Sequence, residues 1–201
     1  MKDIRPRGRP REFDREALLD QAILLFRDRG YQATSIADLA AATGVSAGSL
    51  YKAFADKPAL FAAAYERYVE RRIDRLTTEL STAQNGRERI ERALHSYLED
   101  ASSSEGRLGC MVVGSLVQLS TLDERLVPQV VASSAKLVEL LRRLIAEGQA
   151  DGSVAPDLDP GGAAEVIAAL MYGLRVAGRT GRELSSRDLL QQAMRLLRIA
   201  P

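Results

Sequence analysis

The sequence predicts an all-α protein, and three observations carry that prediction. Apolar residues recur at three- and four-residue spacing in one segment after another. Ser and Asp residues stand before those segments and Gly residues after them, which is how helices start and stop. One apolar run, 108–119, has a β-branched pair that would suit a strand, but no second strand candidate exists to pair with it, so it is assigned to a buried helix. With 201 residues, 46 % of them apolar, the chain can bury a sizeable core as one domain or two small ones.

The elements follow in order. Residues 1–11 set Lys2, Arg5, Arg7, Arg9 and Arg11 against a single acid, Asp3. Pro6, Gly8 and Pro10 forbid a stable helix there, so this is a basic arm. A helix then runs from a cap at Asp14 to Arg29, with Leu18, Ala22, Ile23 and Phe26 on one face and Gly30 at its end. Residues 34–57 read as two short helices around a tight turn. Ser35 caps the first, Asp38 puts negative charge in its first turn, and Ile36, Leu39 and Ala40 form its apolar stripe. Gly44 supplies the left-handed backbone of the turn, small Ala40 lets the helices cross, and Val45 anchors the crossing. Ser46 caps the second helix, which buries Leu50 and Phe54. A helix-turn-helix of this kind places its second helix in the DNA major groove.

Asp56 caps a long helix with Pro58 near its first turn. Leu60, Phe61, Ala64, Tyr65, Tyr68, Ile73, Leu76 and Leu80 point inward along it, up to a turn at Asn85-Gly86. The next helix, 87–100, buries Ile90, Leu94, Tyr97 and Leu98 and breaks at Ser102, Ser103, Ser104 and Gly106. Beyond the 108–119 segment, 124–147 is a long amphipathic helix closed by Gly148, and 151–160 is a loop. A helix at 161–178 has small residues on one side, and Ser185 or Ser186 caps a last helix reaching 199. The expected organisation is an arm at 1–11, a helix-turn-helix DNA-binding domain at 12–56, and a helical body at 57–201. The small and apolar content of the last two helices predicts a homodimer. The residues are Ala163, Ala164, Ile167, Ala168, Leu170, Met171 and Leu174, then Leu190, Ala193, Met194 and Leu197.

Composition excludes several classes. A formal net charge of +1 argues against a generally nucleic-acid-coated protein, so the basic charge that matters is local. One cysteine, Cys110, leaves no disulfide framework and no Cys-rich zinc site, and fits a reducing compartment. No apolar run approaches the ~18 residues of a membrane span, and the basic N-terminus lacks the apolar region of a signal peptide. A cytoplasmic protein without membrane contact is expected. No Gly-rich phosphate loop, metal spacing or nucleophile-base pair stands out, so neither an enzyme nor a cofactor is expected.

The first sixty-odd residues resemble the DNA-binding domain of the TetR family of bacterial transcriptional regulators. The resemblance runs through Leu25-Phe26-Arg27-Asp28-Arg29-Gly30-Tyr31, Ala33-Thr34-Ser35-Ile36, Ala40-Ala41-Ala42-Thr43-Gly44-Val45-Ser46, Gly48-Ser49-Leu50-Tyr51-Lys52-Ala53-Phe54 and Asp56-Lys57-Pro58-Ala59-Leu60. Lys52 departs from the pattern, since many members carry His there. Beyond this region the likeness is one of layout only. It implies a helical body that dimerises and binds a small effector, and a regulator, most simply a repressor, released from a near-palindromic operator.

Site residues follow from both readings. Ser46, Ala47, Gly48, Ser49 and Lys52 form the outer face of the recognition helix, and Ala47 suits a thymine methyl. Tyr51 points about 100° away from Leu50 and can donate to a phosphate. Lys57 opens the long helix, where its charge and free N–H groups suit another phosphate. Thr34 and Ser35 are further phosphate candidates, although capping is a sufficient role for them. The segment Arg7-Gly8-Arg9-Pro10 resembles a minor-groove AT-hook element. His95 pairs on a surface with Glu99 or lines a pocket. Tyr97, Cys110, Met111, Gln118, Met171, Tyr172 and Arg175 are the effector candidates, because a polar group among apolar walls is how a pocket reads. Cys110 carries a second expectation, a reactive thiol sensing oxidants or electrophiles. There Gly106 and Gly109 place it in a helix's first turn, one helix face with Arg107. An effector-independent architectural DNA-binding protein is the remaining alternative.

Overall fold

The computed structural model describes residues 14–181 and 186–196, and within them the chain forms ten α-helices and one 3-10 turn. They are α1 (Arg15–Arg29), α2 (Ile36–Thr43), α3 (Ala47–Ala53), α4 (Lys57–Ser81), α5 (Gly86–Ser102), α6 (Ser104–Arg107), α7 (Met111–Val117), α8 (Val127–Ala150), α9 (Pro160–Arg179) and α10 (Ser186–Leu196), with the 3-10 turn Leu119–Thr121 between α7 and α8. No strand occurs among the described residues, and no helix there is long and apolar enough to cross a membrane.

The helix starts obey their caps. Asp14 accepts from the backbone N–H groups of Glu16 and Ala17. Ser35 and Asp38 form a reciprocal capping box, and Gly44 takes φ +68° in the turn. Ser46 accepts from Ser49 N–H, and Asp56 from Ala59 N–H. Asn85, read as part of a turn, also caps: it accepts from Glu88 N–H at 2.8 Å, so α5 starts at Gly86 and continues to Ser102.

Helix ends depart from expectation in two places. The 108–119 segment yields only the two-turn α7, because Gly109 takes φ +80° and Gln118 ends the helix in a 3-10 turn. Gly148 does not stop α8, which runs on to Ala150. Its role is a close approach. A Cβ on Gly148 would lie 2.4 Å from Val154 Cγ2, and a Cβ on Gly86 would lie 2.3 Å from Gly148 Cα. The first turn of α5 therefore rests on the last turn of α8, glycine against glycine. Ser185 and residues 197–199 of the expected last helix lie outside the described residues.

Two apolar cores share α4. The first joins α1, α2 and α3 to the first half of α4, to α7 and to the start of α8, around the rings of Phe26, Tyr31, Phe61 and Tyr65. The second joins the end of α4 (Leu76, Leu80) to α5, α8, α9 and α10. Each fully buried large apolar side chain contributes about 1.5–3 kcal/mol relative to exposure. Between the two cores the inward face of α4 carries Arg72 in place of an apolar side chain. Ile73, expected inward, is 45 % exposed there.

The residues expected to form a dimer interface are corrected in the same way. Ala163, Ala164, Ile167, Ala168, Met171 and Leu174 of α9, with Ala193 and Met194 of α10, are buried within the protomer, where α5, α8 and α9 pack closely. Small residues serve this close helix packing. The outward face of α9 instead carries Gly162, Val166, Ala169, Gly173 and Val176, all exposed. Leu197 lies outside the described residues.

Candidate nucleic-acid interface and ligand cavity

Helix α3 presents one apolar and one open face. Leu50 is buried in the first core with Phe54, just past the helix end. Tyr51, on the other side, is 53 % exposed. Ala47, Gly48 and Lys52 are exposed and Ser49 is half-buried. Nothing lies within 4 Å of where a Cβ on Gly48 would stand, so backbone can be approached there by another molecule. The Ser46 and Ser49 hydroxyls lie 3.0 Å apart and belong to the cap.

The flanking candidates divide. Lys57 is half-buried, its ammonium 4.2 Å from the centre of the Tyr31 ring, and burial lowers its pKa from the ordinary value. Ser35 is exposed, its hydroxyl donating to Asp38 at 2.5 Å. Thr34 is corrected: it is fully buried, and its hydroxyl donates to the Gly30 carbonyl at 2.7 Å. That bond locks the turn between α1 and α2 and leaves the side chain nothing to offer a phosphate. Arg7 and Arg9 lie outside the described residues.

A cavity of about 1260 Å³ opens between α1, α4, α5, α8 and α9. Tyr97, Cys110, Tyr172 and Arg175 line it. Met111 and Gln118 do not. They line a smaller cleft of about 340 Å³ against the end of α1. Met171 is fully buried in the second core and lines neither. His95 is likewise absent from both linings and sits on the surface, 3.8 Å from Glu99.

The inner end of the cavity holds a charged cluster that the sequence reading largely missed. Asp100, its side chain 13 % exposed, accepts from Arg72 and Arg75 and lies 3.8 Å from Arg175. Arg72 stacks on the Tyr97 ring at 4.7 Å and on Tyr68 at 5.8 Å. Burial pushes the Asp100 carboxyl up, but Arg72, Arg175 and Arg75 outweigh it and hold it below the ordinary value. The signal available was spacing. Arg72 stands four residues after Tyr68 and four before Leu76, a cation at a core position.

Cys110 sits inside this cluster. It is the N-cap residue of α7, while exposed Arg107 ends α6, so the two share no helix. The cations facing the thiol are Arg72 and Arg175. The Tyr68 hydroxyl donates to its sulfur at 3.5 Å. Burial raises the thiol pKa, but those two guanidiniums and the Tyr68 hydrogen bond outweigh it, and the thiol lies below its ordinary value.

From this end of the cavity, hydrogen bonds lead to α1. The Gly109 carbonyl accepts from Arg175 Nη2 at 3.2 Å and from Arg27 Nε at 3.0 Å. Arg27 also holds the Glu105 carboxylate and carbonyl. Arg179 of α9 donates to the carbonyls of Arg27 and Asp28 in the last turn of α1.

Comparison with known proteins bears on this geometry. Residues 18–64 match the family described as bacterial regulatory proteins, tetR family, and residues 86–197 match the family described as tetracyclin repressor-like, C-terminal domain. The HTH-type transcriptional repressor ComR of Escherichia coli K12 is 32 % identical over 199 residues, 97 % of this chain and 92 % of ComR. A cysteine-substituted TetR family regulator, CifR, solved with 26-bp double-strand operator DNA, is 31 % identical with a TM-score of 0.83, covering 96 % of this chain and 100 % of that one. The reduced form of NemR from E. coli is 26 % identical with a TM-score of 0.79, covering 91 % of this chain and 94 % of that one.

Proposed function

The chain belongs to the TetR family of bacterial regulatory proteins and is a DNA-binding transcriptional regulator; from that premise we propose a homodimeric repressor that leaves its operator when a small molecule enters the 1260 Å³ cavity. The observation that carries the release step is where the cavity lies. Two of its walls, α1 and α4, pack on each other and share one apolar core with α2 and α3, α2 packing on α1 and α3 on α2.

In this reading residues 12–56 bind DNA, with the 1–11 arm beside them, and residues 57–201 bind effector and dimerise. Ala47, Gly48, Ser49 and Lys52 face the major groove, Tyr51 and Lys57 face phosphates, and Ser35 and Ser46 hold the helix starts. Lys57 reaches phosphate by leaving its place over Tyr31. The outward stripe of α9, from Gly162 to Val176, is the surface available to a partner protomer. Two recognition helices then enter successive major grooves of a near-palindromic site. An effector that binds the released conformation more tightly separates the heads, with a coupling of roughly 1–3 kcal/mol. The Arg175, Gly109 and Arg27 bonds are the path, since they run from the cavity to α1.

A second reading keeps the output and changes the input. Cys110, facing two guanidiniums on the cavity wall, then acts as a reactive thiol whose modification drives release. The cavity itself counts against an effector-independent architectural protein.

The test is selection of bound sequences from random duplex DNA, followed by a small-molecule screen for release. A near-palindromic site and at least one releasing compound are expected. Unselective binding that no compound alters would overturn the proposal.

A further inference from the structure

We infer that the cavity takes an amphiphile carrying one negative charge, a carboxylic acid whose head meets Arg175 and Arg72 and whose apolar body lies along α4 and α8. This names the chemistry of the effector and rests on the effector reading above.

The first support is Arg175 itself. Its side chain is 1 % exposed. Nη2 donates to the Gly109 carbonyl, while Nε and Nη1 have no hydrogen-bond partner in the protein. Nη1 lies 3.8 Å from Asp100, a residue that lines the large cavity and not the smaller cleft. Open N–H groups on a buried cation are costly, and an anionic oxygen is the acceptor that satisfies both charge and hydrogen bond.

The second support is the balance of charge. Arg27 is matched by Glu105. Arg75 is half exposed and shares Glu79 and Glu99 as well as Asp100. Buried Arg175 and largely buried Arg72 are left with one carboxylate, Asp100, between them. At this inner end one positive charge is in excess, and a single carboxylate cancels it. The third support is the wall. Val69, Ile73 and Leu76 on α4 face Leu137 and Leu140 on α8, and the exposed position of Ile73 suits contact with an apolar ligand.

One other group can close the balance, the Cys110 thiol by ionising, and the experiment separates the two. The full-length protein is titrated calorimetrically with decanoate, methyl decanoate and decylamine, each below its aggregation concentration. Decanoate should bind at least about tenfold more tightly than the ester, the worth of one charge-assisted hydrogen bond, and decylamine should bind least. Arg175→Met should erase the preference for acid over ester, and Cys110→Ser should keep it. Equal affinity for acid and ester in the wild-type protein overturns the inference, and this arm needs no variant to fold. A preference that emerges only in Cys110→Ser overturns it too, since the thiolate then supplies the negative charge. Operator binding is measured on the same preparation. Decanoate that binds with the acid preference intact but leaves operator binding unchanged sinks the effector reading alone, whereas operator release by another compound without decanoate binding sinks the inference alone.

Discussion

Replacing Asp100 by Asn should lower stability and raise affinity for an acid ligand in the same protein. Asp100 faces three guanidiniums, with Arg75 Nη1 at 2.8 Å, Arg175 at 3.8 Å and Arg72 in direct contact. At an effective dielectric of ~20, unit charges ~4 Å apart attract by about 4 kcal/mol. Half-exposed Arg75 adds at most about 1 kcal/mol. Desolvation of the carboxylate gives much of that attraction back, and removing one partner of a buried pair nets about 3–5 kcal/mol. Urea denaturation at neutral pH reads that loss. The pH dependence fixes its cause. Because the folded pKa of Asp100 is depressed, its contribution is complete above the ordinary Asp value of about 3.9 and disappears as pH falls through the lower folded value. The variant has no carboxyl to protonate, so the gap between the two proteins should hold from neutral pH down to about 3.9, shrink below it, and be gone once pH is below the folded value. Decanoate affinity should meanwhile rise about tenfold, since the variant leaves a second uncancelled positive charge beside the ligand head. An affinity that falls together with stability would refute the charge argument, and so would a gap that widens in acid.

Other expectations follow from the same contacts. Arg179→Ala removes the donors to the last-turn carbonyls of α1, so it should cost about 1–3 kcal/mol and speed amide exchange there; unchanged exchange in α1 would show those bonds to be idle. Lys57→Ala should flatten the salt dependence of operator binding by about one unit and cost about 0.5–1 kcal/mol of stability from the lost Tyr31 contact. Tyr51→Phe should weaken specific and random duplexes alike, because phosphate contacts position without specifying; a loss confined to the operator would mean Tyr51 reads a base. Val166→Glu, on the outward face of α9, should shift the mass by light scattering from dimer to monomer, and an unchanged dimer would move the interface elsewhere. Maleimide titration of the folded protein should label Cys110 faster at pH 7 than a free thiol of ordinary pKa buried to the same degree, and Cys110→Ser should still release DNA if the thiol is not the sensor.

What the sequence made legible was chiefly where helices begin. A start is specified by one side chain, and Asp14, Ser35, Ser46 and Asp56 each accept the backbone N–H groups that their position implies. Stops were harder, because glycine ends a helix in one place and lets two helices touch in another. Gly148 looks like a stop and is a contact, with Val154 just beyond it and with Gly86 far off in sequence. Small residues carried the same ambiguity on α9, where Ala164 and Ala168 serve the protomer's own core although a dimer interface would want the same side chains. At the candidate site, Tyr97, Cys110, Tyr172 and Arg175 were found because each is polar or reactive within an apolar stretch. Arg72 and Asp100 were passed over because a cation on a long helix and an acid near a helix end both read as solvated. Their significance depends on each other and on Arg175, and no periodicity expresses a meeting of α4, α5 and α9.

The grip of Arg179 on α1 has a use outside the native molecule. Its bonds end on the carbonyls of Arg27 and Asp28, and every residue type supplies a carbonyl. The body therefore holds the reading head by its main chain at this point and is indifferent to which side chains the head carries. The reciprocal bonds are not indifferent. The Glu105 carbonyl takes its guanidinium from Arg27, and the Gly109 carbonyl shares Arg27 with Arg175. An engineer grafting a foreign reading head onto this body, to rewire its ligand response to a new promoter, should transplant with it Arg27 and the side chains of Asp20, Gln32 and Asp56, which hold Arg67, the Thr121 carbonyl and Arg125.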